Sequence, residues 1–150
     1  MKKIILNIFL FVILSNCGYS PILTRNIQDF DIEIQTVKGD RLINNIILAQ
    51  LNRSQNDQSK NKIDIDINTK YLKITNSKDA TGAIASYELS VISEFNINKK
   101  NINKKIILKE KFVMDKNQNA FDENNYERTI KQTFASSIAQ QIILKLKSIE

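Results

Sequence analysis

The sequence predicts one α+β domain, in which a four-stranded mixed sheet carries two helices packed on one face, in the order β-α-β-β-β-α. Four segments alternate apolar and polar residues one by one, and two segments repeat apolar residues at helical spacing. The 150 residues and the 42% hydrophobic content allow one ordinary globular domain. Because every strand has one apolar face and both helices are amphipathic, the simplest arrangement places both helices against that face.

The first strand and the first helix form a strand–helix–strand unit with the second strand. The strand starts at about Asp29 and alternates until Gly39 breaks it. Asp40 is suited to cap a helix, and apolar residues then recur at helical spacing to about Asn52. Because the helix makes a crossover between them, the first two strands should be parallel.

Three further strands follow as a meander. The second strand alternates from Ile63 to about Ile74, and residues 75–82 form a predicted turn region. The third strand, with the clearest alternation, spans residues 87–97, and the fourth spans residues 106–114 after a polar turn. Short turns of this kind join antiparallel neighbours.

The last segment predicts a long amphipathic helix. Asp122 is its predicted N-cap, and Phe121 and Tyr126 are placed to pack against each other as a hydrophobic staple. A stripe of large apolar residues, which should face the sheet, recurs at every fourth position: Tyr126, Ile130, Phe134, Ile138, Ile142 and Leu146.

The N-terminal segment resembles the signal peptide of an exported lipoprotein. Two lysines precede an apolar run over residues 4–14, which is shorter than the roughly 20 residues of a membrane-spanning helix. Cys17, the only cysteine, ends the sequence Leu-Ser-Asn-Cys, which resembles a bacterial lipobox. We therefore expect a signal peptide at residues 1–16, a lipidated tether at residues 17–28 and a single domain at residues 29–150.

Acylation of Cys17 would attach the chain to a membrane, with palmitate as a typical acyl group. Each acyl chain contributes about 0.8 kcal/mol per buried CH₂, so three chains anchor a protein stably where one does not. Gly18 follows the cysteine, whereas lipoproteins retained in the inner membrane commonly have Asp there. By this analogy we expect an anchor in the inner leaflet of the outer membrane, on the periplasmic side.

The composition argues against an enzyme. The chain has no His and one Cys, which excludes Ser–His and Cys–His nucleophiles and four-ligand Cys/His zinc sites. Three Gly residues cannot supply most glycine-rich phosphate motifs. Carboxylate pairs such as Asp64 and Asp66 lie on the predicted outer faces of strands, where solvated charge is ordinary. We expect no catalytic residues, no metal and no cofactor other than the covalent lipid at Cys17.

The positive charge has three interpretations, the first of which is an A/T-rich genome, because Lys, Ile and Asn are abundant and all have A/T-rich codons. The formal net charge is +6, and 18 of the 22 basic residues are lysines. They concentrate near strand ends and turns, either as a solvated surface that protects strand edges or as contacts for phosphorylated lipid headgroups. Nucleic acid is not an expected partner, because no basic run carries interleaved aromatic residues.

Three segments, in the right order, resemble the LptE family of lipopolysaccharide-assembly lipoproteins. Residues 17–21, Cys-Gly-Tyr-Ser-Pro, are similar to the start of the mature family proteins, and residues 85–91 are similar to the Ala-X-Tyr-X-hydrophobic strand. Residues 139–146 are similar to the close of the last helix. The resemblance implies a non-enzymatic plug inside an LptD-like outer-membrane β-barrel, which assists barrel assembly. It also implies lipopolysaccharide contacts by basic residues, and the nearest candidates are Lys78 and Lys116.

Two other functions stay open at this point. One is an auxiliary periplasmic lipoprotein of a phospholipid-trafficking transporter, which would share the signal peptide and the anchor. The other is a lipoprotein enzyme that acts on envelope polymers, which would need a carboxylate pair in a cleft. Co-purification separates the first of these from the LptE-like function, because the partner would be a set of transporter subunits rather than a barrel.

Overall fold

The predicted fold class is confirmed. The computed structural model describes residues 30–56, 59–100 and 102–148. The predicted signal peptide, the tether and Cys17 lie outside them. The order of elements is β1 (Asp31–Gly39), α1 (Arg41–Ser54), β2 (Lys62–Lys78), β3 (Ile84–Lys99), β4 (Ile102–Asp115) and α2 (Ala120–Lys147).

The strands form one mixed sheet in the spatial order β1-β2-β3-β4. β1 and β2 are parallel, as the crossover through α1 requires, and this prediction is confirmed. β2, β3 and β4 pair antiparallel through two hairpins. The sheet therefore has β1 and β4 at its edges and β2 and β3 in its interior.

The start of α1 depends on two adjacent residues. Gly39 has φ +99°, and a Cβ added to it would lie 1.7 Å from the backbone oxygen of Thr69, so only glycine fits. Asp40 then caps the helix, as predicted, by accepting a hydrogen bond from the Ile43 backbone N–H at 3.1 Å. The end of β1 thus lies directly against the backbone of β2, and the chain turns there into α1.

The hydrophobic core lies between the sheet and the two helices. α1 buries Ile43, Ile47 and Leu51, while β3 supplies Leu89 and Phe95. The predicted stripe of α2 is confirmed over most of its length, because five of its residues are buried: Ile130, Phe134, Ile138, Ile142 and Leu146.

The beginning of α2 differs from the prediction. Asn119, not Asp122, is the N-cap, and its side chain accepts a hydrogen bond from the Phe121 backbone N–H at 2.9 Å. The earlier start puts Asp122 inside the first turn, where its charge still favours the helix dipole. Phe121 is 72% exposed and Tyr126 is 50% exposed, so the predicted staple is wrong.

The hairpin between β2 and β3 is longer than the alternation predicted. β2 continues to Lys78 and β3 starts at Ile84, because polar residues extend the backbone ladder without apolar side chains. The turn is held by Asp79, whose carboxylate accepts hydrogen bonds from the backbone N–H groups of Thr81 and Ala83. The sheet thus extends past the core at this end.

Candidate functional site

The helix-covered face of the sheet changes from apolar to polar toward the β2–β3 hairpin. Here the N-terminal turns of α2 meet the sheet through charged and aromatic side chains instead of aliphatic ones. Glu123 and Glu127 are four residues apart and therefore lie on one face of the helix. We call this contact the polar seam, and it consists of Asp40, Tyr71, Lys73, Tyr87, Lys116, Glu123, Glu127 and Lys131.

Two carboxylates and two lysines form the centre of the polar seam. Lys73 Nζ lies 3.0 Å from Glu123 Oε1 and 2.8 Å from Glu127 Oε2. Lys116 Nζ lies 2.6 Å from the other oxygen of Glu123. Tyr71 donates its hydroxyl hydrogen to Glu127 Oε1 at 2.9 Å. The first two turns of α2 are thereby joined to β2 and to the segment that follows β4.

Aromatic rings extend the polar seam in both directions. The ammonium group of Lys73 lies 4.3 Å from the centroid of the Tyr87 ring, and that of Lys131 lies 3.8 Å from the Tyr71 ring. Lys131 also pairs with Asp40, the N-cap of α1, at 3.0 Å. The seam therefore connects both helices to the sheet.

The pKa shifts in the polar seam follow from these contacts. Hydrogen bonds from Lys116 and then Lys73 lower the pKa of Glu123 to about 2, so this carboxylate is ionised at physiological pH. Although partial burial acts to lower the pKa of Lys73, its hydrogen bonds to Glu127 and Glu123 outweigh burial and raise it. Burial and the hydrogen bond to Glu127 raise the pKa of Tyr71.

The two predicted lipopolysaccharide contacts, Lys78 and Lys116, lie at the same end of the sheet. Lys78 pairs with Ile84 on one side of β3, and the Lys116 backbone N–H donates to Ala85 O at 2.8 Å on the other. Two strand spacings of about 4.8 Å therefore separate their backbones. The side chains differ: Lys116 is paired with Glu123, whereas Lys78 is exposed and has no ion pair within the described ranges.

The residue pattern alone does not pair Glu123 with Lys73 or Lys116. The spacing of Glu123, Glu127 and Lys131, four residues apart on the face that leads into the apolar stripe, was an available indication. Their partner on β2 could not be read from the sequence, because Lys73 lies 50 or more positions earlier.

The predicted outer carboxylates face away from the helices. Asp64 accepts a hydrogen bond from Gln35 at 3.3 Å, and Asp66 accepts one from Thr36 at 2.5 Å. In the part of the chain that the structure describes, no group of three or more Cys, Asp or Glu residues could hold a metal ion. No helix in that part is long and apolar enough to cross a membrane.

The fold is shared with solved bacterial lipoproteins. It is similar to the rare lipoprotein B from Shewanella oneidensis, with a TM-score of 0.60 and 14% identity over 77% of this chain and 95% of that one. A minor lipoprotein from Acinetobacter baumannii has a TM-score of 0.52 and 14% identity, over 75% and 92% of the two chains. Lipoprotein B from Nitrosomonas europaea has a TM-score of 0.53 and 13% identity, over 82% and 88%.

At such identities the likeness concerns the fold. No protein-family model matches the sequence, and no curated protein matches it either. The β-α-β-β-β-α order that the residue pattern predicted is the order observed.

Proposed function

We propose that this chain is a membrane-anchored bacterial lipoprotein that acts as a lipopolysaccharide-assembly factor of the LptE type. The observation that carries the proposal is the shared fold with bacterial lipoproteins, which extends over most of the domain. The apolar run before the only cysteine supports it independently.

The proposed anchor is the acylated Cys17, inserted in the inner leaflet of the outer membrane. The domain then lies on the periplasmic side and acts without catalysis. Mass spectrometry of membrane-extracted protein tests the anchor, with an acylated N-terminus at Cys17 as the expected result. An intact chain that begins at Met1, or a soluble chain cut at another site, would contradict it.

The proposed partner is an LptD-like β-barrel, which the domain would plug and help to assemble. A two-layer domain with helices fixed to the sheet by a hydrophobic core and a polar seam is suited to a lumen, because it keeps its shape there. Affinity-tagged chain, extracted from outer membranes in mild detergent, should retain a β-barrel. Recovery of transporter subunits instead would favour the phospholipid-trafficking function.

Lipopolysaccharide is the proposed ligand, held through its phosphates by Lys78 and Lys116. Lys78 is the freer of the two, since Lys116 already binds Glu123. Reversal of the Lys116 charge would set two carboxylates against each other, so Lys78→Glu with Lys116→Gln is the appropriate double variant. It should bind lipopolysaccharide more weakly and still retain the barrel. If the unaltered chain binds no lipopolysaccharide, lipid handling belongs to the barrel and the chain is a structural plug.

A further inference from the structure

The face of the sheet that carries no helices has its own surface feature at the hairpin end. The register places Leu72, Ser90 and Lys111 in one row across β2, β3 and β4. The next row of the same face lies on each side of it along the strands. β2 and β4, on either side of β3, supply the exposed members of this basic–apolar patch: Lys70, Leu72, Ile74, Lys109, Lys111 and Val113.

Large aliphatic side chains in the basic–apolar patch are open to solvent. Ile74 is 52% exposed and Val113 is 51% exposed, whereas Leu89 and Met114 on the helix-covered face of the sheet are buried. Ile92 of β3 pairs with Lys70 on β2 and with Lys109 on β4. It therefore belongs to the row of the patch that is farthest from the β2–β3 hairpin. Exposed aliphatic side chains therefore lie on neighbouring strands of one sheet face.

Charge on this face is strongly uneven. Lys70 and Lys109 have no ion pair within residues 30–56, 59–100 and 102–148, while Lys111 neutralises Glu88 at 2.9 Å. The patch is therefore net positive. Toward the other end of the same face the charge reverses, with Asp64 and Asp66 on β2.

We propose that, while the anchored chain is outside a barrel, the basic–apolar patch docks on the surface of an anionic phospholipid bilayer. Lysines surrounding short aliphatic side chains are typical of interfacial membrane contacts, since the stems and the aliphatic groups enter the headgroup layer and the ammonium groups bind phosphates. The patch spans about 10 Å across the strands and about 14 Å along them. That area is far below the roughly 800 Å² per partner of a stable protein interface, whereas a bilayer needs no matching shape.

The geometry of the chain is compatible with this contact, which rests on the anchor proposed at Cys17. The roughly 13 residue steps from Cys17 to Phe30 span at most about 45 Å. Phe30 precedes β1, whose first residue pairs with Lys62, and Lys62 lies about 27 Å along β2 from Lys70. Anchor and patch can therefore reach the same membrane, with the acidic end tilted away from it.

Tryptophan fluorescence tests the proposal without background, because the chain contains no Trp. Val113→Trp places one reporter in the patch, and Leu144→Trp places a control on α2, where Leu144 is 65% exposed. The full chain is reconstituted into vesicles of phosphatidylcholine alone or of phosphatidylcholine mixed with phosphatidylglycerol. We expect the emission of the patch reporter to move to shorter wavelength, with loss of acrylamide quenching, only in the anionic vesicles. The emission of the control reporter on α2 should not change.

Variants that remove lysine charges test whether electrostatic attraction causes the emission shift. Because each lysine near an anionic surface contributes about fivefold, Lys70→Gln with Lys109→Gln should reduce docking roughly 25-fold and abolish the shift. The matched control, Arg128→Gln with Lys145→Gln, removes the same charge from α2 and should leave the shift intact. Circular dichroism of each variant verifies the fold.

Three results would overturn the proposal. They are an unchanged emission spectrum of the patch reporter in anionic vesicles, an equal shift in neutral vesicles, or a shift that appears only when lipopolysaccharide is added. Flotation of the vesicles measures the anchor separately, and barrel retention is measured in detergent. Failure of the docking surface is therefore distinguishable from failure of the proposed function.

Discussion

Replacing Glu123 by Gln keeps the size of the side chain and removes the charge at the centre of the polar seam. Glu123 is only 6% exposed and pairs with both Lys73 and Lys116. A pKa of about 2 in the folded chain, against 4.5 as the ordinary value, corresponds to at most about 3 kcal/mol of stabilisation. Since the two lysine side chains are 25% and 39% exposed, solvent screens the pairs, and we expect a loss of about 1–2 kcal/mol at pH 7.

The pH dependence of that loss follows from the direction of the shift. The folded-state pKa of Glu123 is lowered, so its contribution is complete above about pH 4.5 and disappears as the pH falls through about 2. The difference in unfolding free energy between the unaltered chain and Glu123→Gln should therefore shrink over this window. Urea unfolding at a series of pH values measures it.

A matched control separates the ion pairs from the helix dipole. Asp122 is also acidic and in the first turn of α2, but it is exposed and takes no part in the polar seam. Asp122→Asn should therefore cost only the dipole contribution, about 0.3–1 kcal/mol. If Glu123→Gln costs no more than Asp122→Asn, or if its cost is the same at pH 2 as at pH 7, the reasoning is refuted.

Three further predictions concern the core, a turn and the ligand. Phe134→Ala should cost about 3–5 kcal/mol in unfolding free energy, since Phe134 is 5% exposed in the core, and an unchanged thermal midpoint would contradict this. Gly39→Ala should destabilise by well over the roughly 1–2 kcal/mol of left-handed strain expected for Gly82→Ala, because only the former also collides with backbone; equal thermal midpoints would refute the difference. Lys78→Glu should weaken lipopolysaccharide binding in a salt-sensitive way, whereas Arg128→Glu should not, as measured by co-precipitation at two salt concentrations.

Much of the fold could be predicted because its determinants are local. The alternation of β1, the break at Gly39 and the cap at Asp40 follow one another in sequence, and together they require the parallel crossover. The error at the start of α2 arose because Asn119 and Asp122 are both good caps three residues apart. The residue at which the helix begins decides which of the two side chains accepts a backbone N–H of the first turn, and the structure shows that this residue is Ala120.

The candidate site was less accessible from the sequence, because its contacts join distant segments. Lys73 meets Glu127 across 54 positions, and the polar alternation of β2 gave no reason to pair the lysine with a helix. The extension of β2 past Ile74 was missed for a related reason. Beyond Ile74 the two strands continue to pair through their backbones, but their side chains no longer alternate between apolar and polar, so the sequence does not show the extension.

The faces of the sheet decide which lysines at the hairpin end are available to a ligand. On the helix-covered face, α2 presents carboxylates, so Lys73 and Lys116 are already neutralised. On the other face no helix of the described chain lies opposite, and Lys70 and Lys109 have no ion pair among the described residues. A phosphate that approaches Lys116 must compete with Glu123, whereas one that approaches Lys70 or Lys109 on the open face meets no ion-pair partner among the described residues. Anionic lipid should therefore be sensed first by the helix-free side of the sheet and by the exposed Lys78.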